Sequence, residues 1–226
     1  MPVYDFDENA YSTIIVPTRN RPTSLRCLLA YLGKFYPGAK LVIADGSMPE
    51  SQFENEAICR EASGRLQLDY RAFDADIAFT ERVRTVLESL PEDQYVFGAD
   101  DDFPVLEVLG AARRFLEQNS DYSVCGGYNY RLNIGDDGKM RRLMFNARSI
   151  EDNRASERYR RYADLDFHTY YCVASRSHFL SRYDRIEETF IVGFGDYMLG
   201  FHDLMHGKLK VKWSGKFGQR AKVYPT

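Results

Sequence analysis

The sequence lacks any apolar run long enough to cross a bilayer. Its hydrophobic stretches are short, such as STIIV at 12–16 and KLVIA at 40–44, against the roughly 20 residues a spanning helix needs. It also lacks a basic excess: 30 Lys and Arg stand against 33 Asp and Glu, a net charge of -3. A general nucleic-acid binder needs positive charge to replace counterions, so that class is excluded. Cysteine is sparse. Cys27, Cys59, Cys125 and Cys172 form no CxxC pair, so no zinc knot is expected, and they read as reduced, mostly buried thiols of a cytoplasmic protein. The acidic start, MPVYDFDENA, does not read as a signal peptide. GxxxxGK[ST], GxGxxG and GxSxG are all missing, which disfavours P-loop NTPases, dinucleotide oxidoreductases and serine hydrolases with a nucleophile elbow.

What is present is an ordinary globular composition, 44% hydrophobic and 28% charged over 226 residues. One domain (1–226) of this size buries a full core without disulfides or a structural metal. Aromatic residues reach 14%, with 16 Tyr and 15 Phe. They serve a core or, alternatively, a surface on which sugars or bases stack.

Hydrophobic patterning alternates strand and helix through the first half. Strands are expected at 12–16, 40–47, 66–73 and 94–102, and helices from Thr23 to a Gly33 cap, over 51–63, over 78–90, and from Pro104 to about Asn119. Such alternation signals an α/β fold with a mostly parallel sheet flanked by helices. Ligands of such sheets bind at the carboxyl ends of the strands. Here those ends are Thr18-Arg19-Asn20-Arg21, Asp45-Gly46-Ser47 and Asp100-Asp101-Asp102. The second half reads as a smaller β-hairpin region over 122–149 turning at Asp136-Asp137-Gly138, a strand over 168–176, a helix over 193–207 and a strand over 209–213. Residues 139–161 hold eight Lys or Arg against three acids. The run reads as a solvated surface or loop, with contact to an anionic acceptor or lipid headgroups as the alternative.

Asp100-Asp101-Asp102 follow a hydrophobic strand directly. Adjacent carboxylates repel, so a fold that gathers them compensates them with a cation or a polar ligand. An oxygen-only donor set suits Mg²⁺ or Mn²⁺, with substrate phosphates sharing the shell. The alternative is an acidic turn favoured by the positive end of the next helix.

The ordered set IIVPTRNRP, ADGS, FTERVRTVL and YVFGADDDF resembles the nucleotide-binding half of GT-A glycosyltransferases of the family 2 type. The likeness covers about 12–127 well and 168–213 more loosely. It implies a nucleotide-sugar-binding half at 12–127 and an acceptor and catalytic half at 128–226. It implies that Pro17, Thr18, Arg19 and Asn20 lie beside the nucleotide, with Asp45 and Gly46 at the base or ribose. Arg82 matches the arginine of the following helix, although the usual Ala-Arg-Asn is here Glu81-Arg82-Val83. Asp100 and Asp101 would face the nucleotide sugar, and Asp100 and Asp102 the metal, Mn²⁺ or Mg²⁺. The catalytic base of inverting members belongs to a Glu-Asp pair opening a late helix. Here the stretch is Gly193-Phe194-Gly195-Asp196-Tyr197, so Asp196 is the candidate, with Glu187 and Glu188 as fallbacks and a plain helix cap as the structural alternative. Transfer with inversion needs such a base on the acceptor hydroxyl and a cation on the leaving diphosphate.

The implied donor is a nucleotide-diphosphate sugar, most commonly a UDP-sugar. The acceptor is a glycan, a lipid-linked sugar or a protein, with at most peripheral membrane contact, as in polysaccharide biosynthesis. His202-Asp203-Leu204-Met205-His206 has zincin-like spacing with Asp in place of Glu, and His206 is a further candidate for the metal shell. Three other functions remain open: a nucleotidyltransferase, a zinc hydrolase on the HDxxH pair, and a non-catalytic glycan-binding domain. The chain is short for a complete enzyme of this type, which points to an acceptor-binding extension absent here or supplied by a partner.

Overall fold

The computed structural model describes residues 12–134, 140–144, 147–165, 167–184, 195–212 and 220–224. The first half alternates as the sequence implies: β1 (Thr13–Thr18), α1 (Pro22–Phe35), β2 (Lys40–Asp45), α2 (Pro49–Ala62), β3 (Gln67–Ala72), α3 (Phe79–Ser89) and β4 (Gln94–Phe97). There follow β5 (Asp102–Pro104), α4 (Leu106–Gln118), β6 (Tyr122–Gly126), β7 (Asn129–Ile134), β8 (Met140–Met144) and α5 (Ala155–Ala163). A 3₁₀ turn at Thr169–Tyr171 leads to β9 (Ala174–Ser175), α6 (Arg176–Tyr183), α7 (Gly195–His206), β10 (Lys208–Val211) and β11 (Arg220–Tyr224).

Among the described residues the central sheet has the order β3-β2-β1-β4-β9. β1 to β4 are parallel and β9 is antiparallel. The order steps outward from β1 to β3 and then jumps to β4 on the other side. This is a topological switch point, whose crevice lies at the carboxyl ends of β1 and β4. Strand periodicity divides the core. Ile14 and Val16 face a cluster with Leu25, Leu28 and Leu32 of α1 and Leu109 of α4. Ile15 faces the other side, with Val83 of α3, Phe179 of α6 and Leu204 of α7. Both sheet faces are therefore covered, and the strand ends are left as the place for polar chemistry.

The structure departs from the sequence expectation in four places, two in each half. Residues 168–176 are not one strand, because the Ser175 hydroxyl accepts from the His178 backbone N–H at 3.2 Å and starts α6 there. The β-prone Cys172-Val173-Ala174 that suggested a strand are fully buried, and burial rather than a long ladder explains their composition. The helix expected from Pro104 begins at Leu106, since Asp102–Pro104 pair with β11. The hairpin is β7 with β8, whereas β6 pairs in parallel with β10; its expected turn at Asp136-Asp137-Gly138 lies outside the described residues. The first helix runs through Gly33 to Phe35, so Gly33 is not its cap.

The basic run also divides. Arg148, Arg154, Arg160 and Arg161 are exposed, as a solvated face requires. Arg158 is buried, and it donates to the carbonyls of Leu204, Asp152 and Asn153 at 2.8–2.9 Å, tying α5 to α7.

Candidate nucleotide-sugar site at the strand ends

The ends of β1, β2 and β4 bring most of the candidate residues together. Thr18 closes β1 and is buried; its hydroxyl donates to Asp100 Oδ2 at 2.7 Å. That bond spans the switch point between β1 and β4. Asp100 and Asp102 are 3% and 2% exposed. Arg21 reaches Asp100 at 2.8 Å and Asp101 at 2.7 Å. Burial pulls the Arg21 guanidinium down, but the Asp101 hydrogen bond and the three aspartates outweigh it and hold its pKa above the ordinary value. Carboxylates gathered in the sequence are thus met by a cation in the fold, as their mutual repulsion demands.

The second part of the site is built around Asp45. It is fully buried and accepts from the Ser47 N–H, the Asn55 amide and the Tyr70 hydroxyl, each at 2.8 Å. Burial, followed by the bond to Asp45, raises the Tyr70 hydroxyl above its ordinary range. Asp45 is therefore a scaffold for the turn after β2 and does not present its carboxylate at the surface. Asn20 adopts a left-handed φ of 56°, which Asn tolerates better than most residues. Its N–H donates to the Ser47 hydroxyl at 2.7 Å and its side-chain oxygen accepts from the Met48 N–H at 2.8 Å. Pro17 lies in β1 opposite Ala44, and Arg19 is exposed beside this turn.

Arg82 comes from the first turn of α3 and is 3% exposed. Its Nε and Nη1 have no hydrogen-bond partner. Burial lowers its pKa, and Arg19 adds to this, while Asp45 and Tyr170 act the other way. The guanidinium lies over Gly46 so closely that a Cβ there would sit 1.2 Å from Nη1. Any side chain at 46 would displace the Arg82 guanidinium from this position.

Asp196 occupies the second position of α7. The neighbouring Tyr197 contacts the His168 ring at 5.5 Å, beside the 3₁₀ turn whose Tyr170 stacks on Phe97, the last residue of β4. The α7 N-terminus therefore stands at the aspartate end of the sheet. Gly193, Phe194, Glu187 and Glu188 lie outside the described residues.

His206 is not brought to the aspartates. It lines a cavity of about 450 Å³ with Gln94, the first residue of β4, so it sits at the opposite end of the strand. Spacing alone could not show this, because it depends on which elements α7 packs against, from the 3₁₀ turn to β6 and β10. Asp203 is fully buried there; Arg182 donates to both its oxygens at 2.6 Å and His178 Nε2 lies 2.8 Å from Oδ1. Burial opposes its ionisation, but Arg182 and His178 hold the carboxyl well below the usual range. Burial, the largest influence, lowers His178 below its ordinary value despite Asp203.

Sequence reasoning missed the service of Arg21 to two aspartates and of Asn55, Tyr70 and Ser47 to Asp45. Arg21 carried a signal, two residues on from Arg19 in a polar strand end. Asn55 and Tyr70 carried none, being ordinary polar positions on a helix and a strand.

No family model and no curated protein matches the sequence. Solved structures do match its fold, which is the GT-A fold of nucleotide-sugar glycosyltransferases. The S. aureus TarS 1–349 structure superposes with a TM-score of 0.65 at 15% identity, over 94% of this chain and 60% of that one. Its complex with UDP-GlcNAc gives 0.65 at 16%, over 95% and 58%. The mannosyltransferase PcManGT from Pyrobaculum calidifontis, in complex with GDP-Man and Mn²⁺, gives 0.58 at 14%, over 95% and 56%. The chain thus spans about 60% or less of the length of these structures.

Proposed function

We propose that the protein is a metal-dependent glycosyltransferase that moves a sugar from a nucleotide-diphosphate sugar to a glycan, lipid-linked or protein acceptor with inversion. The observation that carries this reading is Arg82: a buried cation with two nitrogens, Nε and Nη1, unpartnered, held over Gly46 at the strand ends. A buried charge without a partner is costly, and an anionic or carbonyl-bearing ligand completes it. TarS with UDP-GlcNAc and PcManGT with GDP-Man have the same fold, which supports a nucleotide-sugar donor, a UDP-sugar first.

In this reading Thr18, Arg19 and Asn20 bound the nucleotide on the β1 side, Pro17 sets their backbone, and Gly46 and Arg82 bound it on the β2 side. Asp45 positions the turn that carries Gly46 and Ser47. The oxygen-only set of Asp100 and Asp102 fits Mn²⁺ or Mg²⁺, with Asp101 beside the donor, and the ion supplies charge neutralisation on the leaving diphosphate. Asp196 takes the proton from the acceptor hydroxyl as that oxygen bonds to the anomeric carbon and the diphosphate departs. The HDxxH hydrolase alternative loses its base, because Asp203 is fully buried with Arg182 on both oxygens. No helix among the described residues is long and apolar enough to span a membrane.

The test is nucleotide binding by calorimetry, using UDP and GDP with and without Mn²⁺, followed by donor turnover. Wild type should bind one nucleotide in a metal-dependent manner, and Asp102→Asn should lose the metal dependence while keeping its circular dichroism. Asp196→Asn should keep donor binding and lose turnover. Metal-independent binding equal in wild type and Asp102→Asn would remove Asp102 as a ligand, and no binding of either nucleotide would overturn the reading.

A further inference from the structure

Three of the four histidines, His178, His202 and His206, meet at the end of β4 remote from the aspartates. His178 opens α6, and the other two lie one turn apart on α7. Ring centroids are 5.4 Å apart for His178 and His202, 5.9 Å for His178 and His206, and 4.2 Å for His202 and His206. Two imidazoles on one tetrahedral zinc, with Zn–N near 2.0–2.1 Å, place their centroids about 5 Å apart, the size of the separations found here.

The hydrogen bonds decide which nitrogens are open. His178 gives Nε2 to Asp203 Oδ1 at 2.8 Å, which leaves Nδ1 with its lone pair. His206 gives Nδ1 to the His202 carbonyl at 2.8 Å, which leaves Nε2. A ring N–H donated to a carboxylate or a backbone carbonyl, with the other nitrogen open, is the usual posture of a metal-bound histidine. His202 is 8% exposed, and its Nδ1 has no hydrogen-bond partner although Asp203 Oδ1 lies 3.8 Å away. One donor atom each of His178, His202 and Asp203 lies within a 4.8 Å span that does not take in His206, and His202 Nε2 lies 3.4 Å from the Ser181 hydroxyl, so the three imidazoles converge on one ion only once the His178 and His206 rings turn toward it. Asp203 is itself engaged by Arg182, so it orients imidazoles and does not supply a ligand oxygen. His178 and His206 both line the cavity of about 450 Å³, which provides an entrance.

We propose that His178, His202 and His206 form a site for a divalent transition ion of the zinc type, at the end of the sheet opposite the aspartates, with Asp203 as the carboxylate that orients them. A neutral, all-nitrogen donor set selects Zn²⁺ and its imidazole-seeking neighbours over Mg²⁺ or Mn²⁺. The ion joins α6 to α7, and it does not depend on the nucleotide reading.

The experiment is Zn²⁺ titration of protein without a histidine tag, against a chromophoric chelator, in the wild type and in Asp102→Asn so that the aspartate end does not contribute. One equivalent should bind in both. His178→Gln and His206→Gln should each weaken binding more than about tenfold, the lower limit seen for loss of even an outer-shell partner, with the metal-free melting temperature as the folding control. Affinity unchanged in the double variant, or no Zn²⁺ bound by wild type, would overturn the proposal. Co²⁺ loading of wild type gives a second readout that requires no variant: intense visible absorption of a low-coordinate ion is expected, and a weak spectrum like aqueous Co²⁺ would sink the site.

Discussion

Arg82 and Gly46 form a single unit, and substitution on either side should separate stability from binding. Gly46→Ala drives a methyl into the guanidinium. Overpacking of this kind costs about 1–3 kcal/mol, and we expect nucleotide affinity to fall with it in calorimetry. Arg82→Met removes a buried cation with two unpaired donors. Exchange of a buried charge for an apolar side chain is often neutral or stabilising, so urea unfolding should show no loss while nucleotide binding drops more than about tenfold, the size of one lost charged hydrogen bond. Coincident loss of both would mean that Arg82 is only a packing element. Arg21 has the converse role. It is half exposed and bridges Asp100 to Asp101, so Arg21→Gln should lower the melting temperature without Mn²⁺ and gain more than wild type when Mn²⁺ is added. Equal gains in both proteins would show that Arg21 and the ion do not share the same carboxylates.

The pairing of α6 with α7 rests on Arg182 and Asp203, both fully buried. His202 and His206 are neighbours by their spacing on α7, whereas His178 joins them only because α6 packs against that helix. Arg182→Ala leaves a buried carboxylate without its guanidinium, a change that costs about 3–5 kcal/mol, measurable as a shift in the urea midpoint. A cost under about 1 kcal/mol, typical of exposed pairs, would mean that water reaches Asp203. α5 is tied into the same face through Arg158, which explains why a run of basic residues contains one buried member. Patterning marked that segment as charged, and charge alone does not say which of several arginines finds carbonyls to satisfy it.

Across the whole molecule, the two apolar clusters on either side of the central sheet also govern the thiols. Cys59, Cys125 and Cys172 are buried and Cys27 is exposed. Burial pushes the Cys59 and Cys125 thiols up to about 12 and Cys172 well above its ordinary value. The reactive thiolate is therefore scarce at these three sites at pH 8. A thiol reagent should titrate one group rapidly in native protein and four in denaturant; two or more fast groups would place one of the three within reach of solvent.

The alternation of short apolar strands with amphipathic helices was enough to read the parallel sheet, because strand and helix periods differ and each local segment carries its own. The polar residues at the strand ends were legible for the same reason. A buried strand that stops at Thr18, Asp45 or Phe97 must end in polar groups whose hydrogen bonds are met by neighbouring side chains, by water or by a ligand. The second half was less legible, since residues 168–176 are apolar enough for a strand but are shaped by a serine cap and by neighbours distant in sequence. The partners of Asp45, the bridging by Arg21, and the removal of His206 from the aspartates were set by tertiary packing. Each depends on which segments lie side by side across tens of residues, and no local period or spacing records that.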